Sequence, residues 1–133
     1  MVYTIKQLKQ TTMTNLERIT EMYTMIGEGK MMDAFEKYYA DNVVMIEANG
    51  DKREGKDKNR EFELQFLSSI KEMHGGGVYS ITANEDTGVT MVESWMDTSY
   101  KDGNRMKMEE VAVQYWEGDK IVKERFYYNM PGQ

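Results

Sequence analysis

The stretch that decides the fold is residues 26–47, which read IGEGKMMDAFEKYYADNVVMIE. Its two glycines end a preceding helix, because glycine favours the position just past a helix end. Apolar side chains in 31–38 then recur at helical spacing and predict a second, short helix. A polar pair at 41–42 ends that helix, and 43–46 predict a brief strand that finishes at Glu47.

Upstream, Thr14 and Glu17 have the spacing of a capping box and predict the start of the first helix. The first dozen residues have weak periodicity and are expected to be a frayed lead-in. Downstream, Lys52 to Arg60 is expected to be a solvated loop and helix start. A third helix is predicted from Lys56 to Met73, ended by the glycines at 75–77. The remainder predicts four strands joined as a meander: 78–84, 89–100, 105–116 and 121–129.

Helices gathered ahead of an antiparallel sheet predict an α+β layer architecture. The strands are apolar on both faces: in 105–116, Ala112 and Trp116 lie on one face, and Val111 and Val113 on the other. A sheet that is apolar on both faces needs two covers. The helices supply one cover, and a second subunit is the simplest source of the other. We therefore expect a homodimer.

The composition limits the classes of function. A chain of 133 residues fits a single domain, 1–133, and its 40% hydrophobic and 30% charged residues are ordinary for a globular protein. It has no cysteine, and its formal net charge of -6 with no basic stripe argues against nucleic-acid binding. No apolar run is long enough to span a membrane and no signal-peptide core is present, so we expect a cytoplasmic protein.

With this order of elements, 26–47 resembles the nuclear-transport-factor-two-like superfamily, in its SnoaL-like and ketosteroid-isomerase-like branch. The matching features are the glycine break, the helix ending in Tyr-Ala-Asp, the strand ending in an acid, the Gly-Lys-Asp at 55–57 and the WEGDKIV at 116–122. The resemblance spans about 14–129. It implies a cone: a curved mixed, mainly antiparallel sheet wrapped around three N-terminal helices, with a pocket for a small hydrophobic molecule. Dimers through the outer sheet face are common in the superfamily.

Glu47 is the first candidate for chemistry. Its place at a strand end resembles the place where ketosteroid isomerases hold their general-base aspartate. Moving a proton next to a carbonyl needs a carboxylate that is shielded enough to remain basic. The alternative is a solvent-facing acid at the turn formed by Asn49 and Gly50.

Tyr23 is the second candidate, because it precedes Tyr39 by the spacing of the isomerase's oxyanion-donating tyrosine. A tyrosine hydroxyl in an apolar pocket can stabilise a developing enolate oxygen, although Tyr23 also fits a packing role in the core. The isomerases add a protonated aspartic acid, and the matching position here is Ala112, whose side chain cannot donate a hydrogen bond. Glu110 lies on the same strand face and substitutes for it only if the register slips.

No metal or cofactor is expected, because no cluster of His, Asp or Glu has ligand spacing. The lone His74 is expected to cap the third helix. Five residues are expected to line the core and the ligand-binding cavity, and they suit a flat apolar ligand or a closed core equally well. They are Phe62, Phe66, Trp95, Ala112 and Trp116.

Three functions remain open from the sequence. The first is a cofactor-independent isomerase, cyclase or dehydratase, with Glu47 as base and Tyr23 as electrophilic partner. The second is a non-catalytic protein that binds a small apolar or amphipathic molecule. The third is a dimeric interaction module with a filled cone. The residues do not decide whether the chain is an enzyme.

Overall fold

The computed structural model describes residues 12–129. These residues form three helices and six strands. Helices and strands follow one another in the predicted order, except for one additional short strand. In chain order they are α1 (Asn15–Gly27), α2 (Met31–Tyr38), β1 (Tyr39–Ile46), β2 (Lys52–Glu54), α3 (Lys56–Ser69), β3 (Ile70–Asn84), β4 (Val89–Tyr100), β5 (Arg105–Glu117) and β6 (Lys120–Tyr127).

The six strands form one curved sheet in the order β2-β1-β6-β5-β4-β3. Strands β3 to β6 make the predicted antiparallel meander, and β1 joins it by parallel pairing with β6. The three helices cover one face of this sheet. The predicted α+β fold, a mixed and mainly antiparallel curved sheet around three N-terminal helices, is confirmed.

Helix α1 begins where the sequence predicts it. The Thr14 hydroxyl accepts a hydrogen bond from the Glu17 backbone N–H, and the Glu17 carboxylate accepts one from the Thr14 N–H. The inward side of α1 places Ile19 and Met22 in the core, both almost fully buried. They pack with α2 and the sheet around a cluster that includes Ala34, Phe35, Tyr38, Val43, Met45, Val92 and Ile121.

The predicted end of the third helix is wrong. Helix α3 ends at Ser69, and the glycines at 75–77 lie inside β3 instead of terminating a helix. The cause is Trp95 on the neighbouring strand: a Cβ at Gly77 would lie 2.9 Å from Trp95 Nε1, and one at Gly75 would lie 3.0 Å from Trp95 Cη2. Glycine lets the indole lie flat against the backbone of β3. His74 therefore caps no helix and instead pairs its Nε2 with the Ser99 hydroxyl at 2.6 Å.

Strand β2 was not predicted, because its three residues fall in the stretch expected to be a solvated loop. It pairs antiparallel with the end of β1, so that Arg53 lies opposite Met45. Buried Asn59 fixes this segment: its Nδ2 donates to the Arg53 carbonyl at 3.0 Å and its Oδ1 accepts from Arg53 Nε at 3.1 Å. These two hydrogen bonds fix the orientation of the Arg53 guanidinium.

Within residues 12–129, no helix is long and apolar enough to cross a membrane. The expected cytoplasmic location and the single domain 1–133 stay predictions. The expected lead-in covers residues 1–11, which lie outside the described residues.

The sheet has two distinct faces. The concave face, toward the helices, carries the alternate residues Thr90, Val92, Ala112, Gln114 and Glu124, all buried. The convex face, away from the helices, carries the residues between them. Because β4 pairs with β5 without a shift, and β5 pairs with β6 regularly from Val111 to Tyr115, the concave residues of neighbouring strands lie side by side there.

Candidate functional site

Three glutamates from three different elements face the space between α3 and the concave face. Glu63 comes from α3, Glu110 from β5 and Glu124 from β6. Burial raises the pKa of Glu63 and of Glu110 to about 7 and that of Glu124 to about 8. Neighbouring negative charges raise these pKa values further: Glu47 acts on Glu63 and Glu110, and Glu110 and Glu63 act on Glu124. We call Glu63, Glu110 and Glu124 the acidic cluster.

Glu124 is the fully enclosed member of the acidic cluster, only 2% exposed. One of its oxygens accepts a hydrogen bond from the Tyr39 hydroxyl, and the other accepts from Gln114 Nε2 at 2.7 Å. Gln114 Oε1 accepts from the Thr90 hydroxyl at 2.7 Å, which in turn accepts from the indole N–H of Trp116 at 2.9 Å. These five residues, Trp116, Thr90, Gln114, Glu124 and Tyr39, form a continuous buried polar chain.

Glu63 and Glu110 have no such partners. Both side chains are half-buried, and neither carboxylate makes a hydrogen bond or an ion pair with any residue of 12–129. The nearby Arg53 lowers the pKa of Glu63, but burial outweighs it. Both carboxylates are therefore partly desolvated and have no partner among these residues, so they are free to contact a ligand or water.

Tyr23 of α1 points toward the same acidic cluster. Burial raises the pKa of its hydroxyl well above 10, and the charges of Glu124 and Glu110 raise it further. The ring packs against the core cluster, as the sequence allowed. Its hydroxyl makes no hydrogen bond within the described residues, so it is a neutral donor available beside Glu110.

Glu47 lies on the same side of the sheet, immediately after β1, but its oxygens already have partners. One oxygen accepts from Arg53 at 2.7 Å and the other from the Tyr128 hydroxyl at 2.6 Å. Its side chain is 17% exposed and that of Arg53 is 11% exposed, so this ion pair is well shielded. Arg53 also stacks on the Phe62 ring at 3.5 Å. Glu47 is thus a tethered carboxylate, whereas Glu110 is a free one.

A groove of about 420 Å³ opens at the end of β6. Glu110 and Tyr128 are both among its lining residues, and burial and the charge of Glu110 raise the pKa of Tyr128, so the acidic cluster lies close to this opening. The aromatic rings of Tyr127 and Tyr128 supply flat apolar surface, and Tyr128 is the residue that holds Glu47. The full lining is Ala48, Glu93, Glu109, Glu110, Val111, Tyr127, Tyr128 and Asn129.

The five residues expected to bind a ligand do not meet around this groove. Ala112 and Trp116 are closed into the core, at 0% and 7% exposure. Phe62 is 39% exposed and lies under Arg53, while half-buried Phe66 packs edge-on against Tyr100. Trp95 lies on the convex face, with Lys107 over its ring at 5.0 Å. Their predicted role in ligand binding stays a prediction.

Two members of the acidic cluster escaped the sequence analysis. Apolar spacing in α3 favoured Phe62, yet the helix turns buried Asn59, half-buried Glu63 and Phe66 inward, one helical turn apart. Glu124 was hidden in the last strand, where a bulge between Tyr115 and Trp116 shifts the pairing. The available signal was the alternation with Phe126, which packs against the core. Within residues 12–129, no three His, Asp or Glu side chains converge closely enough to hold a metal ion.

This geometry, a cone-like α+β fold with polar groups at its open end, defines the class of protein. The model of the SnoaL-like domain family matches residues 12–128. The chain belongs to the SnoaL-like domain family. A search of the curated proteins found no match.

Solved structures with the same fold agree with this assignment. A provisionally assigned SnoaL-like polyketide cyclase from Mesorhizobium loti is 29% identical, with a TM-score of 0.78. The match covers 87% of this chain and 100% of that protein. A provisionally assigned polyketide cyclase from Pseudomonas putida is 18% identical, with a TM-score of 0.76. The match covers 90% of this chain and 94% of that protein. A protein of ketosteroid-isomerase-like fold from Catenulispora acidiphila is 14% identical, over 86% of each chain, with a TM-score of 0.69. The latter two likenesses show the fold alone.

Proposed function

We propose that this SnoaL-like domain is a cofactor-independent acid–base enzyme that acts on a small hydrophobic carbonyl compound. Glu110 transfers the proton, and the Tyr23 hydroxyl donates a hydrogen bond to the carbonyl oxygen. The observation that carries the proposal is the position of Glu110. It is a desolvated carboxyl without a partner in residues 12–129, and it lies in the wall of a groove.

The titration of Glu110 suits this role. A general acid or base works best when its pKa lies near the working pH, because both protonation states are then populated. Burial, together with the charges of Glu47 and Glu63, raises the pKa of Glu110 to about 7. An ordinary exposed glutamate would be almost entirely ionised at that pH and a weaker base.

Tyr23 supplies the second half of the chemistry. Its raised pKa keeps the phenol protonated at all working pH values, so it can donate to an oxygen on which negative charge develops. Ala112 contributes no donor, unlike the matching position of the ketosteroid isomerases. Removal of a proton beside a carbonyl then relies on Glu110 and Tyr23, and it requires no cofactor.

Glu47 remains the second candidate for the base. Its two hydrogen bonds hold the carboxylate against Arg53 and Tyr128. We assign it an anchoring role at the mouth of the site, in which Tyr128 is tied down as one wall of the groove. Substitution by glutamine at positions 47 and 110 distinguishes whether Glu110 or Glu47 is the base.

The groove supports a small, flat and mainly apolar ligand. Tyr128, whose pKa burial and the charge of Glu110 raise, offers apolar surface close to Glu110, and Asn129 offers an amide at the rim. The Mesorhizobium loti protein carries the designation polyketide cyclase. Ring closure of a polyketide by carbon–carbon bond formation begins with proton removal beside a carbonyl, which is the same elementary step.

The proposal is tested by proton exchange, which requires no knowledge of the natural substrate. Aryl ketones of increasing size are incubated with the protein in D₂O, and deuterium uptake beside the carbonyl is followed by NMR. We expect the wild-type protein to accelerate exchange for at least one ketone, with a rate that follows a titration near pH 7. Glu110→Gln should lower that rate by about 100-fold or more, since general acid–base catalysis typically contributes this much.

Glu47→Gln is the matched control, because it makes the same chemical change in the neighbouring carboxyl. We expect it to weaken ketone binding while it retains most of the exchange rate at saturation. If Glu47→Gln abolishes exchange and Glu110→Gln does not, Glu47 is the base. If ketones bind without any exchange, the chain is a binding protein rather than an enzyme.

A further inference from the structure

A serine, a histidine and a glutamate meet on the convex face of the sheet, near the end of β4. The Ser99 hydroxyl on β4 lies 2.6 Å from His74 Nε2 on β3. The other ring nitrogen of His74, Nδ1, lies 4.0 Å from Glu72 Oε1. A hydroxyl, an imidazole and a carboxylate in this order form the constellation that activates serine for acyl transfer on unrelated folds. We call Ser99, His74 and Glu72 the serine triad.

Two bulges in β3 bring the serine triad together. The pairing of β3 with β4 shifts on both sides of Glu72 and Met73. Glu72 therefore lies directly opposite Ser99, whereas His74 is an extra residue without a partner on β4. A bulge aims a side chain in a direction that the regular ladder does not provide, and bulges are frequent beside active sites. Here the bulge directs the His74 imidazole to the Ser99 hydroxyl.

The surrounding hydrogen bonds favour the proton arrangement of a general base. A neutral imidazole carries one N–H donor and one acceptor nitrogen, and a carboxylate only accepts. The carboxylate of Asp97, on the same face of β4, has both oxygens bonded to Arg105 at 3.0 Å. Glu72 is thus the carboxylate left for His74, and it favours the ring proton on Nδ1. Nε2 is then the nitrogen that accepts the proton of Ser99.

Arg105 supplies a donor from a third strand. It lies directly opposite Ser99 on β5, where side chains of one face have Cβ atoms about 5 Å apart. Its Nε and Nη2 hold Asp97, whereas its Nη1 makes no hydrogen bond with any residue of 12–129. A free N–H donor beside the nucleophile can stabilise the negative charge that develops on a carbonyl oxygen when Ser99 attacks.

We infer that the serine triad forms a second catalytic site, which hydrolyses small carboxylic esters. The Ser99 oxygen forms a bond to the ester carbonyl carbon while its proton moves to His74 Nε2. The bond from that carbon to the alcohol oxygen then breaks, and the alcohol leaves with the proton. Water attacks the acyl group on Ser99 in the same way, which releases the carboxylic acid and returns a proton to Ser99.

The position of the site determines the size of the ester. Ser99 is partly exposed and the His74 side chain is 22% exposed, so the site is reached from solvent without an enclosing pocket. Short acyl groups with a good leaving group suit such an open face. No member of the serine triad belongs to the acidic cluster or lines the groove. The inference is therefore independent of the proposed activity toward ketones.

Hydrolysis of p-nitrophenyl acetate tests the site. We expect the protein to release p-nitrophenol and to carry, after an acid quench, an acetyl group that peptide mass spectrometry locates on Ser99. Ser99→Ala and His74→Gln should each lower the rate by about 100-fold or more, a typical contribution of general acid–base catalysis. Ser80→Ala is the matched control and should keep the rate, because it removes a hydroxyl on β3 that bonds Glu93 instead.

NMR of the imidazole nitrogens tests the base without a substrate or a variant that must fold. His74 is the only histidine of the chain, so its two ring nitrogens are identified directly. We expect the neutral ring to carry its proton on Nδ1. Glu72 acts as a positioning residue, so Glu72→Gln should reduce the fraction of that tautomer and lower ester hydrolysis several-fold.

Two results overturn the inference. One is a neutral His74 ring that carries its proton on Nε2, because that nitrogen then donates to Ser99 and cannot take its proton. The other is ester hydrolysis that Ser99→Ala leaves unchanged, with acetyl groups found on lysines and none on Ser99.

Discussion

The concave face has a closed half and an open half, and glutamates have different roles in the two halves. In the closed half, Glu124 is bonded to Tyr39 and Gln114, within the buried polar chain. In the open half, Glu63 and Glu110 are desolvated enough to have pKa values of about 7, yet they have no partners in residues 12–129. Burial raises the pKa in both halves, so a shifted pKa alone does not separate structure from function.

Hydrogen-bond satisfaction makes the distinction. A satisfied buried glutamate stabilises the fold through the groups that it pairs, and its removal leaves those groups unpaired. An unsatisfied one costs stability and is explained by what it does for a ligand. We therefore assign Glu124 to the structure of the cone and Glu110 to the proposed proton transfer.

The largest expected effect is on the free energy of unfolding, when the same substitution is made in both halves. Glu124→Leu should destabilise the protein by about 3 kcal/mol, because the Tyr39 hydroxyl and the Gln114 amide lose their acceptor in a fully buried site. Glu110→Leu should change the free energy of unfolding by less than about 1 kcal/mol, or raise it, since it removes an unpaired desolvated carboxyl. Urea denaturation at pH 7 measures both.

Equal losses of stability in the two variants would remove the distinction between the halves. Glu124→Gln serves as the intermediate case, because its amide oxygen can still accept one of the two hydrogen bonds. It should lie between the wild-type protein and Glu124→Leu.

The pH dependence of stability is expected to be next in size. The unfolded chain titrates its glutamates near 4.5, whereas the folded chain holds the proton of Glu124 up to about pH 8 and those of Glu63 and Glu110 to about pH 7. Between pH 4.5 and about pH 8, the unfolded state releases protons that the folded state retains. The free energy of unfolding is therefore highest near the acidic end of this range and falls as the pH rises. Thermal denaturation should give a Tm about 5 °C or more lower at pH 8.5 than at pH 5.5.

Glutamine variants show how much of this pH dependence comes from the open half and how much from the closed half of the concave face. Glu110→Gln should remove the portion that falls near pH 7, and Glu124→Gln the portion that falls near pH 8. A Tm that rises with pH across this range would contradict the assigned shifts.

The sequence was sufficient for features that depend on near neighbours in the chain. The capping box at Thr14, the apolar stripes of α1 and α2 and the strands that form the meander all follow from local spacing. The glycines at 75–77 did not, because their role depends on Trp95, which lies on another strand. Strand β2 is too short to carry a periodic pattern, and it is fixed instead by Asn59.

The site was predictable in place but not in detail. The resemblance indicates the end of β1 and the face of Tyr23, and Glu47 and Tyr23 do lie near the acidic cluster, whereas their predicted catalytic roles stay predictions. From the sequence, Glu110 substitutes for Ala112 only if the register slips. The register does not slip: Glu110 simply lies one step further along the same face, opposite Ser94. Glu63 depends on the rotation of α3 about its axis, which packing against the sheet determines.

The most direct test of the central claim is an NMR titration of the glutamate side-chain carboxyl carbons, with Glu110 assigned from the missing signal of Glu110→Gln. We predict a midpoint near pH 7 for Glu110, with a signal that moves when an aryl ketone is added. A midpoint near 4.5, unchanged by any ketone, would show an ordinary solvated glutamate and would contradict its role in proton transfer.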